Sequence, residues 1–236
     1  PVAAFVSPEE ASDLLAAEKV GALSYCWADR AVHDGGVGPD PNGFHTRTIR
    51  AFLKSSYGRR RVVALMIDYA SLYQSDPRGH RTEEENASFK AGLSAMQHIY
   101  SSPRVLVLQH KALPCTATRK RYDESGWPMF EQSIATLATE GGGHIFSLDT
   151  NARVRVQAGL RRSADEMERF FHSERTHFYG RADRDTVSGM YRALLENVEA
   201  YEMATMPKLV SCVDGALTGM DSSGRIADVE TSAVGT

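Results

Sequence analysis

The stretch RVVALMIDYASL, residues 61–72, is a near-continuous apolar run of strand length that carries an acid, Asp68, towards its end. A strand that is hydrophobic at successive rather than alternate positions has both faces covered, as in the middle of a parallel sheet. The run therefore predicts a central strand of an α/β sheet, with Asp68 delivered to the strand's carboxyl end.

Working outward, the same grammar recurs. VGALSYCWA (20–28), RVLVLQH (104–110) and HIFSLDT (144–150) read as further strands. Between them lie helical segments. SPEEASDLLAAEKV (7–20) opens on Ser7, Pro8 and Glu10, a capping box with proline at the first helical position. TRTIRAFLKSSYG (46–58) reads as a short helix ending at a glycine. EEENASFKAGLSAMQHIYSS (83–102) has an acidic first turn and places Phe89, Leu93, Met96 and Tyr100 on one face. A helix over about 126–140 stops at Gly141–Gly143, where glycine ends helices. Residues 1–150 thus alternate strand and helix, the signature of a doubly wound, mostly parallel, flavodoxin-like α/β sheet. Ligands of such sheets bind beyond the carboxyl ends of the strands. That assigns the site to loops 29–45, 73–82 and 111–125.

Beyond residue 150 the character changes. SADEMERFFHSE (163–174) has a second capping box, Ser163 with Glu166. Residues 183–204 align Val187, Tyr191, Leu194, Leu195, Val198 and Tyr201 on one face. Together they predict a helical extension over 151–206, packed on the sheet. The last stretch, 207–236, is small and polar, a tail or arm that orders only against something else.

Bulk properties narrow the function classes. The 236 residues carry a formal net charge of −3, which speaks against nucleic-acid binding through bulk charge. Arg59–Arg61 reads as a solvated turn before a strand. No apolar run reaches the length of about 18 residues that a membrane span requires, and PVAAFVSPEEASDLL lacks a signal-peptide core. A chain opening on Pro1 is expected to be trimmed. Cys26, Cys115 and Cys212 are odd in number and widely spaced, which fits a reducing, intracellular and cytoplasmic setting. The eight histidines form no metal-ligand spacing, so neither a metal nor a cofactor is expected. No dinucleotide fingerprint, P-loop or nucleophile elbow is present. DGGVGPDPNG has the composition of a phosphate-cradling loop and equally that of a run of turns.

Two acids stand out. Asp68 either lines the ligand cleft or caps the turn that follows it. Glu131 lies beside the helical stripe of Trp127, Phe130, Ile134 and Leu137. It is either a border residue favoured by the helix dipole or a carboxylate pressed against an aromatic wall to stabilise a cation. Tyr25 and Trp27 alternate along their strand and share one face, for packing or for a pocket.

Four segments, in order, resemble the fungal heterokaryon-incompatibility (HET) domain, itself similar to the Toll/interleukin receptor (TIR) fold. ALSYCWADR resembles the opening motif, in which Leu-Ser-Tyr is followed by Trp and soon Asp, here Trp27 and Asp29. MIDYASLYQ resembles the segment that sets Asp68 and Gln74 on matched positions. AMQHIY matches a helix end with Met96, Ile99 and Tyr100. SGWPMFEQ resembles the box holding Trp127 and Glu131, with Pro128 where the TIR box has Cys. The resemblance spans roughly residues 20–150. It implies an intracellular signalling module that either cleaves or binds NAD or a related nucleotide, or acts without catalysis through a protein partner or self-association. Carried over, the catalytic role falls on Glu131, with Asp68, Tyr25, Trp27, Asp29 and Trp127 shaping the substrate pocket.

Overall fold

Two strands other than the 61–72 run form the middle of the sheet. The computed structural model describes residues 5–30, 35–76, 78–117, 121–137, 144–154, 163–180 and 182–198. Within them β1 (Val20–Tyr25) and β3 (Val105–His110) lie side by side, and only Val20 of the two strands is not fully buried. The sheet runs β2-β1-β3-β4-β5, with β2 (Ala64–Met66) on one edge and β4 (Ile145–Ser147) beyond β3. These four strands are parallel. The last, β5 (Ala152–Arg153), turns back antiparallel to β4 through Asn151, whose φ of 52° suits the left-handed tendency of asparagine. An order of 2-1-3-4-5 is that of flavodoxin-like doubly wound sheets, here with an antiparallel fifth strand.

The run 61–72 is therefore an edge and not a centre. Its strand contracts to three partly buried residues, and Val63 is 65% exposed. Helices take the rest from both ends. The Ser55 hydroxyl caps a new helix by accepting the Gly58 N–H at 3.0 Å, so Arg59–Arg61 form the last turn of α3 (Ser56–Arg61) rather than a turn leading into a strand. Gly58 fits because a Cβ there would lie 2.1 Å from the Phe52 carbonyl oxygen. At the far end Asp68 opens the short α4 (Asp68–Ser71). A short apolar run does not by itself distinguish an inner strand from a helix–edge–helix passage.

The expected helix over 46–58 is likewise two, α2 (Phe44–Lys54) and α3. Its start moves into the expected loop because the Asp40 carboxylate accepts the His45 and Thr46 N–H groups and the Thr46 hydroxyl. Upstream, α1 (Pro8–Ala16) carries the capping box of Ser7 and Glu10 and buries none of its residues. Further on, α5 (Glu83–Tyr100) starts with a second box, Thr82 with Glu85. The helix of the SGW segment, α6, is described over Gly126–Leu137, and Gly141–Gly143 lie outside the described residues.

The pleat sorts the helices onto two faces. Leu23, Tyr25, Leu106, Leu108 and Phe146 pack with Ile49 and Phe52 of α2. From the opposite face the Ser24 hydroxyl meets the Tyr122 hydroxyl at 2.6 Å, and Gln109 Nε2 donates to Gln132 of α6 at 2.8 Å. At the end of α5, Tyr100 is wholly buried and donates its hydroxyl to the Leu23 carbonyl at 2.6 Å. A doubly wound α/β sheet with helices on both faces is thus what the sequence folds into.

Contacts group the chain into Pro1–Arg192 and Ala193–Thr236. In the first unit α7 (Ala164–His172) buries Met167 and Phe171, and the Ser133 hydroxyl of α6 lies 3.7 Å from Met167 Sδ. Residues 183–198 are helical, α8, with Val187 and Tyr191 buried in its first-unit part. In the second unit Leu195 is buried, and Tyr201 and the 207–236 arm lie outside the described residues. Among the described residues no helix is long and apolar enough to cross a membrane.

Candidate active site

A cleft of about 270 Å³ opens beyond the carboxyl ends of β1 and β2. Four parts of the chain line it: the end of β1 with Tyr25–Trp27, the stretch from Asp68 to Arg81, the buried side of α5 with Phe89, Leu93 and Met96, and the start of α6. A fifth wall, His177–Tyr179 with Asp183, comes from between α7 and α8. Ser125 and His177 run side by side as an isolated bridge, which brings this wall to the head of α6. Phe178 lies so close to Gly126 that a Cβ there would fall 1.9 Å from its ring.

Of the residues singled out from the sequence, Glu131, Asp68, Tyr25, Trp27 and Trp127 all line this cleft. Asp29 does not. Its carboxylate accepts the Val37 N–H at 3.0 Å, which makes it a brace of the loop after β1 and not a wall of the pocket. Gln74 lines the cleft and donates from its side-chain amide to the Leu72 carbonyl.

Asp68 serves both of its expected roles. One oxygen accepts its neighbour's N–H, from Tyr69 at 2.6 Å, and closes the turn. The other accepts the indole N–H of Trp27 at 2.8 Å, and the Tyr25 hydroxyl faces it as well. Burial raises the Asp68 pKa, and these three donors oppose that by favouring the carboxylate.

Glu131 is no border residue. It is 4% exposed, its neighbours Met129, Phe130, Ile134 and Ala135 are buried, and Trp127 and Leu137 are the partly covered ends of the stripe. Its Oε2 has no hydrogen-bond partner. Burial pushes its pKa well above the ordinary carboxylate range, and the charge of Asp68 adds to this, while the nearby Ser24 and Tyr100 hydroxyls pull the other way. Two carboxyl groups thus share one cleft: burial raises the pKa of both, more strongly for Glu131, and three hydrogen-bond donors favour the Asp68 carboxylate.

The remaining walls are aromatic. Trp27 packs between Tyr69 and Tyr179, with ring centroids 5.4 Å away on each side. The Trp127 indole N–H donates to Asp183 at 3.1 Å, and its ring meets Phe130 edge-on. At the other end Arg81 lies over the Phe89 ring, 3.9 Å from its centroid. Among the described residues no three His, Cys, Asp or Glu side chains converge to hold a metal ion.

Arg81, Phe89 and the wall of His177–Tyr179 with Asp183 are site residues that the sequence alone does not mark. Arg81 was within reach, since loop 73–82 had been placed at a strand's carboxyl end. That wall was not, because it is brought in by tertiary packing from beyond the segments that carry the resemblance.

Fold and site together define an α/β protein with an acidic, aromatic cleft beyond its strand ends. Compared with known proteins, the chain matches no family model, no curated protein and no solved structure.

Proposed function

We propose that this cleft binds NAD or a related nucleotide and hydrolyses its N-ribosyl bond, as an intracellular TIR/HET-like signalling module, with Glu131 as the catalytic carboxyl group. One observation carries the reading: a 4%-exposed glutamate with an unpartnered oxygen lines a cleft walled by two indoles. A buried carboxyl is neutral until a cation joins it. The N-ribosyl pyridinium of NAD is such a cation, and an indole face also attracts one. Its arrival favours ionisation of Glu131, whose carboxylate then opposes the positive charge that grows on the ribosyl carbon as its bond to nitrogen breaks. The bonding pair leaves with the neutral nicotinamide, water adds to the ribosyl carbon, and its surplus proton passes to a cleft carboxylate or to solvent. The resemblance of the SGWPMFEQ segment supports the same substrate class.

The test is NAD turnover by wild type, Glu131→Gln and Glu131→Ala. Turnover in the wild type should fall by about 10²-fold or more in Glu131→Gln, on the scale of one lost electrostatic contact to a transition state. Far-ultraviolet circular dichroism should be unchanged. Concentrated wild-type protein that leaves NAD intact would sink the reading for NAD.

The rival reading, an interaction module without catalysis, draws on a different part of the surface. Edge strand β2 has no partner on its outer side among the described residues, and Val63, just before it, is 65% exposed. Self-association that is lost in Val63→Lys while NAD stays intact would favour it.

A further inference from the structure

We infer that Arg81 is the anion-binding residue of the cleft, so that the ligand carries a phosphate alongside its ring. The substrate class in this inference rests on the nucleotide reading above; the anion site itself rests on the placement of one side chain. Arg81 is fixed from two sides. Its Nε–H donates to the Tyr73 carbonyl at 2.7 Å, and its guanidinium plane lies over Phe89. A long cation held this way has already lost most of its rotamer freedom, so ligand binding costs less.

What Arg81 lacks is an anion. Three carboxyl groups, Asp68, Glu131 and Asp183, share the cleft with it, yet no carboxylate lies within ion-pair distance of Arg81 among the described residues. Three other arginines are paired, Arg121 with Asp123, Arg61 with Glu18, and Arg192 with both Asp165 and Glu168, whereas Arg169 and Arg184, like Arg81, donate to carbonyl oxygens but line no part of the cleft. The acids of the cleft are occupied differently, Asp68 by Trp27 and Asp183 by Trp127 and the Gly180 N–H. The outer guanidinium N–H groups of Arg81 therefore have no acceptor among the described residues. They form a planar fork matched to two oxygens of a phosphate. The cleft is bipolar: a carboxyl and indole pole suited to a cationic ring, and a guanidinium pole suited to the phosphate attached to it.

Nicotinamide mononucleotide and nicotinamide riboside differ by that one phosphate and are the probes. Calorimetric titration should show the mononucleotide binding about tenfold or more tightly than the riboside, the factor that corresponds to one charge-assisted contact. Arg81→Met keeps the apolar stem over Phe89 and should abolish this preference with riboside affinity unchanged. Arg81→Lys should retain part of it. In turnover the loss should appear in KM and not in kcat. Equal affinity for the two probes in wild type, or a preference that survives Arg81→Met, overturns the assignment. Inorganic pyrophosphate separates this failure from that of the substrate class. Thermal stabilisation by pyrophosphate in wild type, lost in Arg81→Met, upholds the anion site even where neither nicotinamide compound binds. Pyrophosphate that stabilises both proteins equally, or neither, removes it.

Discussion

Each face of the sheet carries a buried group of titratable side chains near the strand ends, and the two are built to opposite purposes. On the α5–α6 side Glu131 opens onto the cleft beside Asp68. On the α2 side His45 and His110 face each other through their Nδ1 atoms at 2.8 Å, and His110 Nε2 stands 3.6 Å from Asp149. Both groups contain a buried atom without a hydrogen bond, Glu131 Oε2 in one and His45 Nε2 in the other. An orphaned atom alone therefore does not mark a site. What separates them is access. Phe44 stacks on His110, Tyr25 meets His45 edge-on, and the histidines are 1% and 3% exposed and do not line the cleft that holds Glu131. The histidine group is sealed, whereas the glutamate has a wall of indoles and space in front of it.

Acid breaks this comparison most strongly. Burial first and the neighbouring His110 second bring the His45 pKa down to about 4, against the opposing pull of Asp40 and Asp149. His110 is also lowered, again mainly by burial. Unfolded histidine takes a proton near 6.5. As pH falls from there towards 4 the unfolded state binds more protons, so stability is lost, by about 3 kcal/mol in all for His45. Glu131 has the reverse sign. Its raised pKa means that the folded state holds the proton longer, so the stability associated with it falls as pH rises above the ordinary glutamate range of about 4.3. Urea melts across pH 4 to 8 should show His45→Asn flattening the acid limb. The same melts should show Glu131→Gln gaining on wild type as pH rises. A wild-type acid limb that keeps its slope in His45→Asn would show that the sealed group does not set it.

The wall formed by His177–Tyr179 and Asp183 gives the next effect. Gly126→Ala puts a methyl into the Phe178 ring, whose far edge must swing out. Overpacking of this kind costs about 1–3 kcal/mol. Because Phe178 lines the cleft and not the histidine group, ligand affinity should fall with stability while the acid limb keeps its slope. Thermal melts with and without the mononucleotide check both halves.

The two groups also differ in how far the sequence announced them. Glu131, Asp68 and the two tryptophans could be singled out because strand ends and one helix head have local signatures: an apolar run closing on an acid, and Ser-Gly-Trp before a helical stripe. The capping boxes of α1 and α7 were legible for the same reason, since each is written within four residues. The histidine pair was not. His45 and His110 are 65 residues apart and meet only because the sheet seats β3 beside the start of α2. The depth of Glu131 was also hidden. Periodicity placed it at the border of a stripe, but the Ser24 and Tyr100 hydroxyls face it and Met129 and Ala135 are buried as well, so a wider arc of the helix than one stripe is covered. The edge position of residues 64–66 was obscured by Ser55 and Gly58, which extend helix into an apolar run.

The finest division lies inside the cleft, between two indoles that each donate to an aspartate. Trp27 is one of the three donors to Asp68, at 2.8 Å, on a carboxylate whose pKa burial already raises. Trp127 reaches Asp183 at the longer distance of 3.1 Å, and that carboxylate retains the Gly180 N–H and stands at the start of α8, where a helix favours negative charge. Removing a donor costs more where burial already disfavours the charge, as it does at Asp68. Trp27→Phe should therefore destabilise by about 1.5 kcal/mol and move the Asp68 titration upward, and Trp127→Phe should cost about 0.5 kcal/mol. Denaturation midpoints give the costs, and carbon-13 carboxyl shifts give the titration. Equal costs for the two variants would mean that the indoles act as packing alone and that Asp68 owes nothing to Trp27.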